Sequence, residues 1–349
     1  MMQYIGVICS FFSAFIITYF IMPKVIVFSK KFRLTDLSGD REKRERAIPI
    51  VGGIAIFPAI IISLLFWSNL QNIQFIIVSL FVVFSVGVLD DLLSLSARKK
   101  LLGQIIGILI IIYFQDLEID NMHGVLGIFE IPSLAALLFT IFVVIVVTNG
   151  FNLIDGIDGL AGGIGIISSS FFGIIALMME QMDIALLAFT LSGALIAFLK
   201  YNFYPARIYM GDAGSLVVGL ILSILAINIV KHGVVTETIK LPNKGPLLAI
   251  AFLALPLFDS LRVFLNRVRT RKNPLSAGRD HVHHSLVDLG FGHKKTAVIL
   301  YVSSLFIIGL SFLFLDRNLN SSITIIALIC YIMILWPFYL LIKKRENEK

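Results

Sequence analysis

Residues 133–179 read SLAALLFTIFVVIVVTNGFNLIDGIDGLAGGIGIISSSFFGIIALMM. Two apolar runs, 133–148 and 159–179, flank ten residues that carry Asn149, Asn152, Asp155 and Asp158. About 20 mostly apolar residues cross the hydrocarbon of a bilayer as a helix. The stretch therefore reads as two membrane helices joined by a short polar segment.

The rest of the chain repeats that alternation. Further apolar runs lie near 3–22, 50–67, 73–89, 101–115, 184–199, 212–230, 246–265, 297–315 and 322–342. The expectation is an all-α polytopic membrane protein with about eleven transmembrane helices. Of the 349 residues, 58% are hydrophobic and only 15% charged, too little polar surface for a soluble core of this size. Continuous rather than alternating runs exclude an outer-membrane barrel. The first run lacks the basic start and small-residue cleavage site of a signal peptide. Cys9 and Cys330 are the only cysteines, each inside an apolar run, so there is no disulfide scaffold.

Charge orients the spans. With the N-terminus outside, the inner segments hold 25 Lys and Arg against 14 acids, and the outer ones 4 against 8. The formal charge of +7 thus divides into +11 inside and −4 outside, with the C-terminus cytoplasmic. This basic excess is a topology signal and calls for no nucleic acid. The longest inner segments, 23–49 and 262–296, are too short to bury a core, so residues 1–349 form a single integral membrane domain. No internal repeat argues for a transporter's inverted symmetry, and no P-loop appears.

Ionisable residues at the boundary of so apolar a chain are the candidates for function. Four clusters stand out, all on the inner side. Asp90 and Asp91 end the third run, where their mutual repulsion and the negative end of the helix dipole call for a compensating cation. The bland alternative is a solvated boundary answering Arg98, Lys99 and Lys100. Asn149, Asn152, Asp155 and Asp158 recur every three residues and so project from roughly one side of a helical or 3₁₀ turn. They suit a hard cation, phosphate-bound magnesium or sugar hydroxyls; the alternative is that Asp158 caps the following helix. KYNFYPARIYMGDAGSL, residues 200–216, brings Asn202 and Asp212 together, and Asp212 is also placed to cap the helix it opens. NPLSAGRDHVHHSLVDLGFGHKK, residues 273–295, holds Arg279, His281, His283 and His284. Without zinc-site spacing, these read as a phosphate-binding or proton-handling group. Chemistry between a soluble, metal-bound anion and a lipid follows from that placement.

In this order the motifs LDD, NxxNxxDGxDGLA, NxxPAxxxMGDxGS and HxHH resemble the polyprenyl-phosphate N-acetylhexosamine-1-phosphate transferases, over nearly the whole chain and its N-out layout. The resemblance implies Mg²⁺-dependent (Mn²⁺ as an alternative) transfer of a sugar 1-phosphate from a UDP-N-acetylhexosamine to undecaprenyl or another polyprenyl phosphate, with release of UMP. It implies an enzyme of the cytoplasmic membrane whose active site is built from loops 23–49, 90–100, 149–158, 200–211 and 266–296. Asp90, Asp91, Asp155 and Asp212 match catalytic positions, with Asp212 and Asp155 on the metal. Asn149, Asn152, Asp158, Asn202, Arg279, His281, His283 and His284 match substrate-binding positions, with Arg41, Lys43, Arg44 and Arg46 in support. The HxHH form is similar to the WecA/TagO branch, which makes GlcNAc the expected sugar and the start of a cell-envelope polysaccharide or teichoic acid the expected use. UDP-GalNAc, a 6-deoxy sugar or UDP-MurNAc-pentapeptide remain alternative donors, and a homodimer remains open. Two departures touch recognition. Arg44 stands where the branch has histidine, and Ala277-Gly278-Arg279-Asp280-His281 replaces Pro-Asp-Arg-x-His. Outside the family, the competing readings are a secondary transporter and a CDP-alcohol phosphotransferase. The first needs polar groups at the bilayer midplane, and the second a DGxxAR pattern that is absent.

Overall fold

The computed structural model describes residues 2–32, 48–235, 240–241, 243–271, 278 and 280–347. In chain order the elements are α1 (Met2–Phe32), α2 (Gly53–Trp67), α3 (Leu70–Leu93), α4 (Ala97–Gln115), β1 (Asn121–Val125), β2 (Ile128–Glu130), α5 (Ser133–Ile154) and α6 (Leu160–Met178). Then follow α7 (Met182–Asn202), α8 (Gly211–His232), β3 (Val234–Val235), β4 (Lys240–Leu241), α9 (Gly245–Phe252), α10 (Ala254–Arg269), α11 (Val282–Asp288), α12 (Gly292–Leu313) and α13 (Leu319–Asn347). The strands form two small antiparallel hairpins, β1–β2 and β3–β4.

Among the described residues, eight helices are long and apolar enough to cross a membrane: α1, α3, α5, α6, α7, α8, α12 and α13. A ninth span results if α9 and α10, bent by 76°, are counted together. Each of the eleven apolar runs is mostly helical, the run 246–265 being divided between α9 and α10, but α2 has only 15 residues and α4 opens on Arg98, Lys99 and Lys100. The architecture is therefore all-α and polytopic, with eight or nine spans by length and composition where the sequence suggested eleven.

The bend between α9 and α10 has a local cause. Pro256 has no N–H to give the carbonyl of Phe252, four residues back, so the helical ladder breaks there. The hydroxyl of Ser168 donates to that carbonyl at 2.7 Å, which keeps the break satisfied inside an apolar environment.

At the centre stands α8, buried at every position from Ala213 to Val230; a helix apolar all round belongs inside. Small residues let its neighbours approach. A methyl group on Gly87 of α3 would lie 2.4 Å from the Cα of Ala213, and one on Gly53 would lie 2.2 Å from the nitrogen of Gly214. Close backbone contact of this kind is how membrane helices gain packing where lipid offers no hydrophobic drive. It also sets the C-terminal end of α3 and the N-terminal end of α2 against the first turn of α8.

Several segments expected as loops are largely helical. The stretch 149–158 is helix through Ile154, and α3 and α4 take up most of 90–100. Apolar packing carries each helix past the edge that hydropathy marks. Lys200 and Asn202 likewise close α7.

Candidate active site

The site is organised by the entry into α8. Gly211 has φ +74°, and a side chain there would strike the carbonyl of Ile50 at 2.1 Å; only glycine adopts this backbone freely. The segment before α2 pairs with that entry: Tyr209 N–H donates to Pro49 O at 2.7 Å, Gly52 N–H to Tyr209 O at 2.9 Å and Gly53 N–H to Met210 O at 2.9 Å. The first free amides of α8 are then met by Asp91, whose two carboxylate oxygens accept from Asp212 N–H at 2.7 Å and Ala213 N–H at 3.0 Å. Asp91, not Asp212, caps α8.

Asp212 is thereby released to face the cluster. One oxygen accepts from Asn152 Nδ2 at 2.6 Å, and the other is bound by the ammonium of Lys100. The same ammonium lies 3.0 Å from Asp90, whose second oxygen accepts Leu95 N–H at 2.7 Å and fixes the α3–α4 turn. Asn152 also reaches Ser215 Oγ at 2.7 Å. Asp155, just past the end of α5, accepts the Gly211 N–H. Burial, with Asp212 and Asp91 nearby, pushes its carboxyl up to about 7. Asn149 sits one turn below, donating to Gln104 Oε1 at 3.1 Å and Ile145 O at 2.8 Å. Three of the four residues spaced by three thus point toward α8 or α4.

The fourth does not. Asp158 accepts Ala206 N–H at 3.0 Å on one oxygen and pairs with His293 Nδ1 at 3.0 Å on the other. The reading of Asp158 as the cap of α6 is not realised, since Gly159 holds the cap position. Asn202 is also inward: its oxygen accepts Gly159 N–H at 3.0 Å and its amide donates to Ile208 O at 2.9 Å. Tyr301 donates its hydroxyl to Gly159 O at 2.5 Å. These residues brace the turn that presents Asp155.

The histidines close the other side of that turn. His281 Nδ1 is 2.7 Å from Asp259 Oδ2, and Val282 N–H donates to Asp259 Oδ1 at 3.0 Å. Asp259 is fully buried, with the guanidinium of Arg262 at 3.6 Å. His281 and His283 are parallel, with ring centroids 5.6 Å apart, and His284 packs on His283 at 4.2 Å. Any side chain on Gly156 would reach His283 Nε2 at 2.3 Å, so the histidine segment abuts the Asp155 turn. Burial and the neighbouring His284 push the His283 imidazole down to about 3, which keeps it neutral. Asp280 meets Arg267 at 3.3 Å, and its backbone carbonyl accepts from Arg262.

Arg41, Lys43, Arg44, Arg46 and Arg279 lie outside the described residues. Sequence reasoning missed Lys100 as a member of the cluster, and Asp259, Gln104, Ser215 and His293 altogether. Asp259 did carry a signal: it is the only acid in the run 246–265.

Among the described residues, no three acidic, histidine or cysteine side chains converge as a preformed metal cage. Two carboxylates, Asp90 and Asp212, converge on one cation, the ammonium of Lys100. That hard-oxygen donor set fits Mg²⁺, which is bound through one or two carboxylates together with substrate phosphates and water.

Residues 73–230 match the model of glycosyl transferase family 4. A probable undecaprenyl-phosphate N-acetylglucosaminyl 1-phosphate transferase of Bacillus subtilis (strain 168) is 30% identical over 343 residues, which is 95% of this chain and 90% of the relative. An undecaprenyl-phosphate alpha-N-acetylglucosaminyl 1-phosphate transferase of Pasteurella multocida (strain Pm70) is 30% identical over 85% of this chain and 82% of its own. A decaprenyl-phosphate N-acetylglucosaminephosphotransferase of Mycolicibacterium smegmatis is 26% identical over 83% and 77%.

Proposed function

Since this chain belongs to the polyprenyl-phosphate N-acetylhexosamine-1-phosphate transferases of glycosyl transferase family 4, we propose that it transfers GlcNAc 1-phosphate from UDP-GlcNAc to a polyprenyl phosphate and releases UMP. The observation that carries this reading is the convergence of Asp90, Lys100, Asn152 and Asp212 on the capped first turn of α8.

Asp212, with Asp155 or Asp90, would hold Mg²⁺, which when bound neutralises charge on the donor's diphosphate. Asn152 fixes one oxygen of Asp212, so the carboxylate is oriented before substrate arrives. Lys100 carries the one ammonium among the cluster's described residues, and its flexible stem lets it follow a phosphate oxygen once the carboxylates are otherwise engaged. His283 lies against the Asp155 turn, and the histidine segment, with Arg279, would partner the donor's phosphates and sugar. In the displacement, an oxygen of the lipid phosphate bonds to the β-phosphorus while the bond from that phosphorus to the UMP oxygen breaks.

An apolar cavity of about 290 Å³, lined by Phe139, Val143, Val147, Ile227, Ile250 and Leu257 among others, runs along α5, α8 and the bent α9–α10 pair. Its chemistry suits an isoprenoid chain. The finer topology belongs to the same proposal: eleven crossings, N-terminus outside, and the cluster at the cytoplasmic face where a UDP-sugar is available. A donor panel tests the sugar. UMP release with UDP-GlcNAc well above UDP-GalNAc and 6-deoxy N-acetyl sugars is expected, and preference for one of the others would reassign the donor.

A further inference from the structure

Asp259 lies in neither the carboxylate cluster nor the histidine motif, yet it is fully buried and all its described partners come from two elements. His281 Nδ1 and Val282 N–H belong to the start of α11; Arg262 is on its own helix, α10. Val282 N–H is a fixed donor to Asp259 Oδ1, the Arg262 guanidinium lies beside the same oxygen, and a carboxylate has acceptors only. Opposite that carboxylate, at 2.7 Å, the complementary tautomer of His281 is the one that donates from Nδ1. Its Nε2 is left buried with no hydrogen-bond partner among the described residues, as are both ring nitrogens of the parallel His283. Buried polar atoms without partners are rare in native proteins and call for a reason, such as a catalytic role or a bound water, ion or ligand. The His283 ring stands against Gly156, one residue from Asp155, and the His281 ring lies parallel to it at 5.6 Å, so the unpartnered nitrogens border the turn that carries the acids.

Resting on the transferase reading above, we propose that Asp259 is a positioning residue for the transfer: it fixes the orientation and tautomer of His281 so that Nε2 is the nitrogen presented to the bound sugar-nucleotide donor. The logic is that of an acid holding a working imidazole by its other nitrogen. Among the described residues, the charged and titratable groups around the Asp259–His281 pair are Arg262, Arg267 and Asp280 from α10 and the segment before α11, His283 and His284 on α11, and His293 beyond His283.

The Asp259→Asn variant tests the tautomer rather than the fold. Val282 N–H is a fixed donor, so the amide must turn its oxygen there and its NH₂ toward His281. Nδ1 then has to accept, and the proton moves to Nε2. Both hydrogen bonds survive with their polarity reversed on the histidine.

The experiment compares the wild type, Asp259→Asn, His281→Gln and the double variant as purified full-length protein in nanodiscs. It reads ¹⁵N-histidine NMR, thermal unfolding, and UMP release from UDP-GlcNAc with undecaprenyl phosphate and Mg²⁺. In the wild type, the resonance missing from His281→Gln is expected to show Nδ1 protonated. Asp259→Asn is expected to move that proton to Nε2, to keep the unfolding midpoint within a few degrees, and to lower kcat/KM about 100-fold or more. The double variant should be no slower than His281→Gln, because residues acting as one unit are not additive. An Nε2-protonated wild type overturns the proposal even if the variants fail to fold. So does turnover within threefold of wild type in Asp259→Asn, or a double variant slower than His281→Gln by the full factor of the single change. Absence of UMP from the wild type would instead contradict the transferase reading, which separates the two failures.

Discussion

Asp91 caps the helix whose first turn carries Asp212: both oxygens of the Asp91 carboxylate are taken by the backbone N–H groups of Asp212 and Ala213, at 2.7 and 3.0 Å. The adjacent acids of the Asp90–Asp91 pair are thus divided in labour. Asp90 shares the Lys100 ammonium with Asp212, while Asp91 holds the turn on which Asp212 stands.

That division predicts different defects. In Asp91→Asn a single amide oxygen replaces two acceptors, and the NH₂ group faces a backbone N–H. The variant should lose about 1–3 kcal/mol of stability, read as a lowered unfolding midpoint in detergent, with activity falling alongside. Asp212→Asn should keep the midpoint within a few degrees and lose at least about 100-fold in turnover. Equal midpoints for the two variants would contradict the assignment.

Lys100 neutralises two carboxylates. Lys100→Met leaves Asp90 and Asp212 facing each other across a partly buried gap, at a cost of about 1–3 kcal/mol. Millimolar Mg²⁺ should restore much of that loss, and should stabilise the variant more than the wild type. Thermal unfolding in EDTA and in Mg²⁺ reads the difference; an identical Mg²⁺ response in both proteins would remove Lys100 from the cluster.

Gly156 is pressed against His283. Gly156→Ala places a methyl group 2.3 Å from the Nε2 of a buried ring, so the histidine segment has to move away from the Asp155 turn. Turnover should fall about tenfold or more, since ångström-scale misplacement of a site costs rate on that scale. Activity within twofold of wild type would show that the contact positions nothing.

His283 also sets a pH dependence. Its imidazole is held down to about 3 in the folded protein, from an ordinary value of 6.5. Between those values the unfolded chain binds the proton and the folded one does not, so stability rises with pH across this window. The contribution is complete above 6.5 and is lost progressively as the pH falls toward 3. His283→Gln should flatten that slope in denaturation measured from pH 7 to 4, and an unchanged slope would refute the buried neutral ring.

Much of this was legible in the sequence, for reasons that particular residues make plain. The apolar runs found the helices because burial in lipid leaves no other backbone option. The acids were conspicuous because so few interrupt those runs. What spacing could not supply was partnership. Three consecutive cations, Arg98, Lys99 and Lys100, look alike in sequence, and only the turn of α4 selects Lys100. Asp158 and Asn202 share the motif's composition, yet their polar atoms go to the backbone and to His293. Asp259 went unread because it lies apart from every motif, and its partner His281 is 22 residues away.

The most direct test follows the phosphate. Full-length protein in membranes should be given UDP-GlcNAc labelled with ³²P at the β-phosphate, together with undecaprenyl phosphate and Mg²⁺. Transfer of sugar 1-phosphate predicts the label in the lipid fraction and unlabelled UMP in the aqueous one, with neither formed when the acceptor lipid is withheld. Label retained on the nucleotide while the sugar reaches the lipid, or no labelled lipid with any UDP-N-acetylhexosamine, would contradict the account.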